Sequence, residues 1–334
     1  MPIYRCAACG FIGEDTTRAA GGQLPCAKCG TANTLFAAPF YVQKLVERYM
    51  ATRRELETLK LAAANPEEES ASANDNLPAS GMPGLDELNN TALLATEAQH
   101  QPLRDWFKAR QIEAMFTYDA VDTTGYFDEA AREIGEHHGT LDGLMEQIRY
   151  AYRREFSWLN VDLARRDPQD RERILAFCRQ LYSHTLFSRY SFKKQTQMLG
   201  LGIQPAPVVR NFFQGTWLEW YALGTLLQMC VAKKRDFSCA RNAILTLQNS
   251  EARELDVAVL LKGRTLVVVE CKTGEFRAEL AKYTKLRQRL GLDRTQFIIC
   301  NPELPDDQLA GLGKMYELTF VNLGALRPHL EIMI

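Results

Sequence analysis

The chain has 334 residues, 46% hydrophobic and 24% charged, with a formal net charge of -1. That composition excludes a mainly disordered chain and a low-complexity fibre, and the near-neutral charge supplies no global basic field of the kind that announces nucleic acid. No run approaches the roughly 18–20 apolar residues a membrane span needs, and MPIYRCAACG has no secretory apolar core, so a cytoplasmic protein with no membrane partner is expected.

Four of the nine cysteines open the chain, as Cys6-Ala-Ala-Cys9-Gly and Cys26-Ala-Lys-Cys29-Gly. Each knuckle is short enough to turn both thiolates toward one ion, and four thiolates make a closed tetrahedral site with no open position for chemistry. The spacing predicts a four-cysteine zinc ribbon over residues 1–36 that holds structural Zn²⁺, with iron as the chemical alternative. So small a module has too little core to fold without its metal. The other five cysteines are scattered, which argues against a disulfide framework.

Residues 37–61 carry apolar side chains at near-helical spacing (Val42, Leu45, Val46, Tyr49, Leu56, Leu59), so a helix is expected there. A flexible linker is expected over 62–96, because AAANPEEESASANDNLPASGMPG offers almost no large apolar residue to bury. Residues 97–205 read as a mostly helical domain, with helices expected through LDGLMEQIRYAYRREFSWL and DRERILAFCRQLYSHTLFSRY. Its Arg149, Arg153, Arg154, Arg165, Arg166, Lys193 and Lys194 are either ordinary surface charge or a face turned to DNA or an effector. His137 and His138 read as helix-end residues and His184 as a core histidine.

From residue 206 the pattern becomes α/β. FFQGTWLEWYALGTLLQMCVAKK reads as a helix entered after Gly215. AILTLQN, ELDVAVLLKGRTLVVVECK, TQFIICN and LTFVNL read as strands, with a helix between them ending at Gly291. The expected fold is a mixed sheet flanked by helices.

The segment from Glu254 to Lys272 carries the chemistry. It reads as a hairpin turning at Lys262-Gly263-Arg264, so Asp256 and Glu270, fourteen residues apart, meet at one sheet edge. Glu270 and Lys272 are two apart on a strand and share a face. Charges on an apolar strand are rarely buried unless paired or bound to metal. Asp256 and Glu270 supply hard oxygen ligands for Mg²⁺ or Mn²⁺, and the Cys271 carbonyl can add a third. Lys272 can orient or deprotonate an attacking water and stabilise developing charge. Glu254 shares the strand face of Asp256 and is a further candidate ligand.

This arrangement, as Asp256 with Glu270-Cys271-Lys272, resembles the PD-(D/E)xK nuclease superfamily. Gly215-Thr-Trp217-Leu-Glu219 is similar to the G-x-W-L-E helix of the branch that includes the cyclic-oligonucleotide-activated nucleases of type III CRISPR systems. The resemblance covers about residues 208–325 and implies a restriction-endonuclease-like fold, with Glu219 contributing to the metal site. Where the family often carries Q-x-x-x-Y, this chain has Glu279-Leu-Ala-Lys-Tyr283, beside Lys282 and Lys285 as phosphate contacts. No dinucleotide-binding sensor domain is legible, so the activating ligand of those enzymes is not carried over. What the resemblance implies is a metal-dependent endonuclease acting on nucleic acid, DNA favoured, in restriction, repair or antiviral defence. A homodimer, or a protein partner or trigger acting through the ribbon or the helical domain, is compatible with it. The alternative is a non-catalytic nucleic-acid- or protein-binding module on a nuclease-like fold.

Overall fold

The near-continuous apolar runs Leu255–Leu261 and Leu266–Val269 are what a strand buried on both faces requires. In a computed structural model they form the centre of a mixed sheet flanked by helices. The structure describes residues 2–6, 9, 11–39, 85–118, 125–247 and 251–334. Nearly all of the predicted 37–61 helix and the 62–84 part of the predicted linker lie outside them. The chain divides into two units, residues 1–78 and 79–334.

In the first unit, strands β1 (Pro2–Arg5), β2 (Ile12–Glu14) and β5 (Phe36–Ala37) pair around β1, and β3 (Gln23–Pro25) pairs with β4 (Ala32–Thr34). Its small core is Tyr4, Cys6, Cys26 and Leu35.

In the second unit the main sheet has the order β14-β13-β12-β11-β10-β6. Strands β6 (Glu113–Met115), β10 (Phe237–Thr246), β11 (Ala252–Leu261) and β12 (Thr265–Cys271) run antiparallel. β13 (Phe297–Cys300) and β14 (Thr319–Val321) add in parallel to β12. Alternate side chains split between two cores. Val257, Val259, Val267 and Val269 face the core that contains the Trp217–Ala232 helix. Ala258, Leu260, Leu266 and Val268 face the core built with the Glu97–Lys108 and Leu280–Leu290 helices. The two helices Asp306–Tyr316 and Leu323–Met333 complete the chain. Among the described residues no helix is long and apolar enough to cross a membrane.

Three expectations change. The linker does not extend to residue 96: Leu85–Asn89 and Thr91–Leu94 are helical, and Leu88, Ala92 and Leu94 are buried in the first of those cores. The helices of residues 97–205 stop early, at Arg153 and Ser183, and the chain returns as a three-stranded sheet of order β7-β9-β8. In β7 (Trp158–Asp162) and β8 (Phe187–Lys193) exposed and packed residues alternate with a period of about two, and β9 (Met198–Ile203) alternates Leu with Gly, which overrides the helical pattern upstream. Glu155 and Thr185, with φ of 57° and 59°, break the helices off. Finally, the residues before and after position 205 share one core, in which Phe127, Leu144 and Phe187 join Phe213, Leu223 and Val257.

Candidate functional site

The β11–β12 register sets Val257 opposite Val269 and Leu261 opposite Thr265. Continued one step, it sets Asp256 opposite Glu270, and opposed residues of an antiparallel pair point to the same face. β11 and β12 are central strands and β11 reaches back to Ala252, so Asp256 lies mid-strand where β12 ends, and the two carboxylates meet inside the sheet and not at its edge. Glu270 is 2% exposed and Asp256 9%.

Lys272 lies between them. Its Nζ is 2.9 Å from Asp256 Oδ2 and 3.3 Å from Glu270 Oε2. Asp256 Oδ2 also accepts the Cys271 N–H at 2.7 Å. Glu270 Oε1 is buried with no hydrogen-bond partner, an expensive state for a carboxylate oxygen. Burial first, and the Asp256 charge second, push the Glu270 carboxyl well above its ordinary range against the pull of Lys272. Burial opposes the Lys272 ammonium, but Asp256 and Glu270 outweigh it and raise its pKa. Both carboxylates thus hold the Lys272 ammonium in its charged form.

Glu219 comes from the opposite side of the sheet. Gly215 and Trp217 fix its helix: a Cβ on Gly215 would lie 2.8 Å from Thr273 Oγ1, and that hydroxyl donates to the Gln214 carbonyl at 3.3 Å. The helix start is thereby held against the residue that follows Lys272. Glu219 is 9% exposed. Burial, then the Asp256 charge, push its carboxyl up to about 7, while Arg241 and Asn242 pull it down.

Arg241 and Asn242 escaped sequence reasoning. Arg241 lies 3.4 Å over the Trp220 ring. Asn242 falls opposite Asp256 in the β10–β11 register, has a left-handed φ of 54° inside a strand, and donates to Glu254 Oε1 at 3.0 Å. An Asn in the strand-like run CARNAILT was the available signal, since Asn tolerates that conformation. Glu254 is thus tied to Asn242, and its charge adds to those raising the Glu219 carboxyl.

On the other flank, the Tyr283 ring lies 5.5 Å from Lys272 Nζ and 5.1 Å from Lys282 Nζ, and its hydroxyl donates to Glu279 Oε2 at 2.5 Å. Lys282 also pairs with Glu279 at 3.0 Å. Lys282 and Lys285 line a cleft of about 310 Å³ with Arg253 and Arg289. Of the histidines, His184 Nε2 meets Glu129 Oε2 at 2.9 Å and stacks on Tyr126, and His138 stacks on Trp217.

The ribbon thiols come together: Sγ atoms lie 3.5 Å apart for Cys6 and Cys29 and 3.6 Å for Cys9 and Cys26. With metal–sulfur bonds of about 2.3 Å a tetrahedron has edges of about 3.8 Å, so the cluster could hold a metal ion such as zinc. Among the described residues these cysteines are the one group of three or more such ligands within 4.8 Å of one another. Glu219, Asp256 and Glu270 are not drawn that close. What fits a cation there is the donor chemistry: hard oxygens, mutual repulsion and the orphaned Glu270 Oε1.

No family model matches the chain, and no curated protein matches it. Several solved structures are similar, two of them as follows. Protein VC1899 from Vibrio cholerae shares 18% identity over 69% of this chain and 60% of its own, with a TM-score of 0.46. Can2 from Sulfobacillus thermosulfidooxidans, in complex with cyclic tetra-adenylate, shares 13% over 69% of this chain and 59% of its own, with a TM-score of 0.48. The chain thus spans about three fifths of the length of each.

Proposed function

We propose that the protein is a metal-dependent nuclease of the PD-(D/E)xK type, hydrolysing phosphodiester bonds in nucleic acid, with DNA the favoured substrate. The observation that carries this reading is Asp256, Glu270 and Lys272 on one face of a central hairpin, both carboxylates nearly buried and Glu270 Oε1 without a partner. A structural ion pair has no need of that second carboxylate; a divalent cation does.

Asp256 and Glu270 would hold Mg²⁺ or Mn²⁺, with the Cys271 carbonyl as a further oxygen and Glu219 acting directly or through water. Such an ion supplies Lewis-acid activation of the phosphodiester. Lys272 orients or deprotonates the attacking water and stabilises negative charge as it develops on phosphate oxygens. Tyr283 positions the Lys272 and Lys282 ammonium groups, and Lys282 and Lys285 hold backbone phosphates. The four-cysteine cluster holds structural zinc. A cytosolic effector of restriction, repair or antiviral defence follows from the family resemblance alone; a homodimer, or a partner or trigger acting through the ribbon or the helical region, would fit it.

The rival reading is a binding module without catalysis. The Lys272 ammonium between the two carboxylates, where a cation would otherwise bind, is the observation in its favour. One experiment separates the two. Zinc-loaded protein is incubated with single- and double-stranded DNA and RNA, with and without Mg²⁺ or Mn²⁺. Cleavage that needs the divalent ion and falls by orders of magnitude in Glu270→Gln supports the nuclease. Binding without cleavage under every condition supports the rival.

A further inference from the structure

The three-stranded sheet takes no part in the hydrolytic site, and its outer face is unusual. Leu159, Val161, Tyr190, Phe192, Leu199 and Leu201 pack inward. Alternation therefore turns Trp158 and Asn160 of β7, Gly200 and Gly202 of β9, and Arg189, Ser191 and Lys193 of β8 outward. The register aligns them in rows: Trp158 and Arg189 flank Gly202, and Asn160 and Ser191 flank Gly200. Both glycines are buried: Trp158 and Ser191 lean over Gly200, and Ser188 and Arg189 over Gly202, so an aromatic side chain and a basic one meet across the middle strand.

Trp158 is fixed over that strand. A Cβ on Gly200 would stand 2.5 Å from Trp158 Cζ2, so only glycine lets the ring lean there. The indole N–H donates to Asn160 Oδ1 at 2.9 Å. The side chain is still 38% exposed, and Phe156, two residues earlier, is 52% exposed. A held, exposed aromatic face is a stacking platform for any base, whatever its sequence.

Charge selects the partner. No Asp or Glu occurs between Glu172 and Glu219, a span that holds Arg173, Arg179, Arg189, Lys193, Lys194 and Arg210. On the outer face of these strands the one carboxylate is Asp162; it shares a row with Lys193, both opposite Met198, while the Trp158–Arg189 row lies at the other end of the sheet. An apolar protein partner would not select a rim of Arg189 and Lys193; a phosphate backbone would.

We propose that this face binds single-stranded nucleic acid, a base stacking on Trp158 while Arg189 and Lys193 hold backbone phosphates. A duplex keeps its base faces inside its own stack and cannot use the platform. The proposal goes beyond the nuclease reading and does not depend on it.

The test is anisotropy of labelled oligothymidylate, oligouridylate and a duplex of equal length. It uses the full zinc-loaded chain in buffer free of Mg²⁺ and Mn²⁺, so that cleavage plays no part. The single strands should bind more tightly than the duplex. Trp158→Ala should weaken that binding about tenfold or more, and Trp158→Phe should restore most of it, as stacking requires. Arg189→Ala with Lys193→Ala should weaken it and reduce the salt slope by about 1.4, the value for two lost phosphate contacts on a single strand. Lys314→Glu, on a distant exposed helix, should change nothing. Should Trp158→Ala prove misfolded, the Arg189 and Lys193 pair decides alone. Unchanged affinity in a folded Trp158→Ala variant overturns the proposal. So do preference for the duplex, absence of binding, or a dimer that Trp158→Ala turns into a monomer.

Discussion

Replacing Lys272 by methionine tests whether its ammonium is the counter-ion of the buried carboxylates. Nζ stands 2.9 Å from one carboxylate and 3.3 Å from the other, and all three side chains are at most 21% exposed. At an effective dielectric of about 20, each contact represents roughly 5 kcal/mol of gross attraction. Desolvation cancels part of this, and removing one partner of a buried pair costs about 3–5 kcal/mol net. The orphaned carboxylates limit the loss by taking up a proton, for which the Glu270 carboxyl is already raised. That sets the sign with pH. A folded pKa above the unfolded value means the folded state holds the extra proton, so the variant is least affected in acid and loses stability as pH rises. At pH 8 without divalent ions a loss of about 3 kcal/mol is expected, or roughly 10 °C in melting temperature for a unit of this size. Mg²⁺ at about a hundred times its Kd should return about 2.7 kcal/mol. Thermal melts at pH 6 and 8, with and without Mg²⁺, read all of this. A variant that melts with the wild type at pH 8 in divalent-free buffer would refute the reasoning.

Other outcomes are as specific. Glu219→Gln should raise the Mg²⁺ concentration needed for cleavage without lowering the melting temperature, because burial already pushes that carboxyl up to about 7. If Glu219 were instead a structural counter-charge for Arg241, the loss would be about 3–5 kcal/mol with an unchanged metal requirement. Purified protein should carry about one zinc per chain, and Cys6→Ser should release it and unfold the ribbon; elemental analysis showing zinc retained would sink the assignment. Asp128, held by the Thr91 N–H and hydroxyl, is pushed up to about 7 by burial. The folded state therefore keeps a proton that the unfolded chain loses near pH 4, and stability should fall as pH rises from about 4 to 7. Asp128→Asn should flatten that slope in urea melts, and an equal slope in wild type and variant would count against the buried acid.

What the sequence made legible is local in the chain. The knuckles put four ligands within two short turns, and the β11–β12 hairpin places Asp256 and Glu270 through one turn and a fixed register. The helix carrying Glu219 was readable because Gly215 and Trp217 flag its start. The strands of residues 158–203 were lost because WLNVD and FSRYSFK are short and directly follow strong helical periodicity. Arg241 and Asn242 were invisible for another reason: their importance depends on pairing with β11 and on packing against Trp220, neither of which has a period to read.

The short strand β6 ties residues 113–115 to Ile244, Leu245 and Thr246, and Leu103, Phe107 and Phe116 beside it share a core with Leu255 and Leu266. During synthesis that stretch emerges about 130 residues before its partners, which at roughly 5–20 residues per second is a wait on the order of ten seconds. Its apolar side chains stay without their final neighbours throughout, an interval in which a holding chaperone would be useful. A fragment that starts at residue 206 would suffer the reverse. β10 would become a bare sheet edge with open N–H and C=O groups, an invitation to pair with another copy. Expression of that fragment should give aggregates unless residues 97–118 are supplied with it.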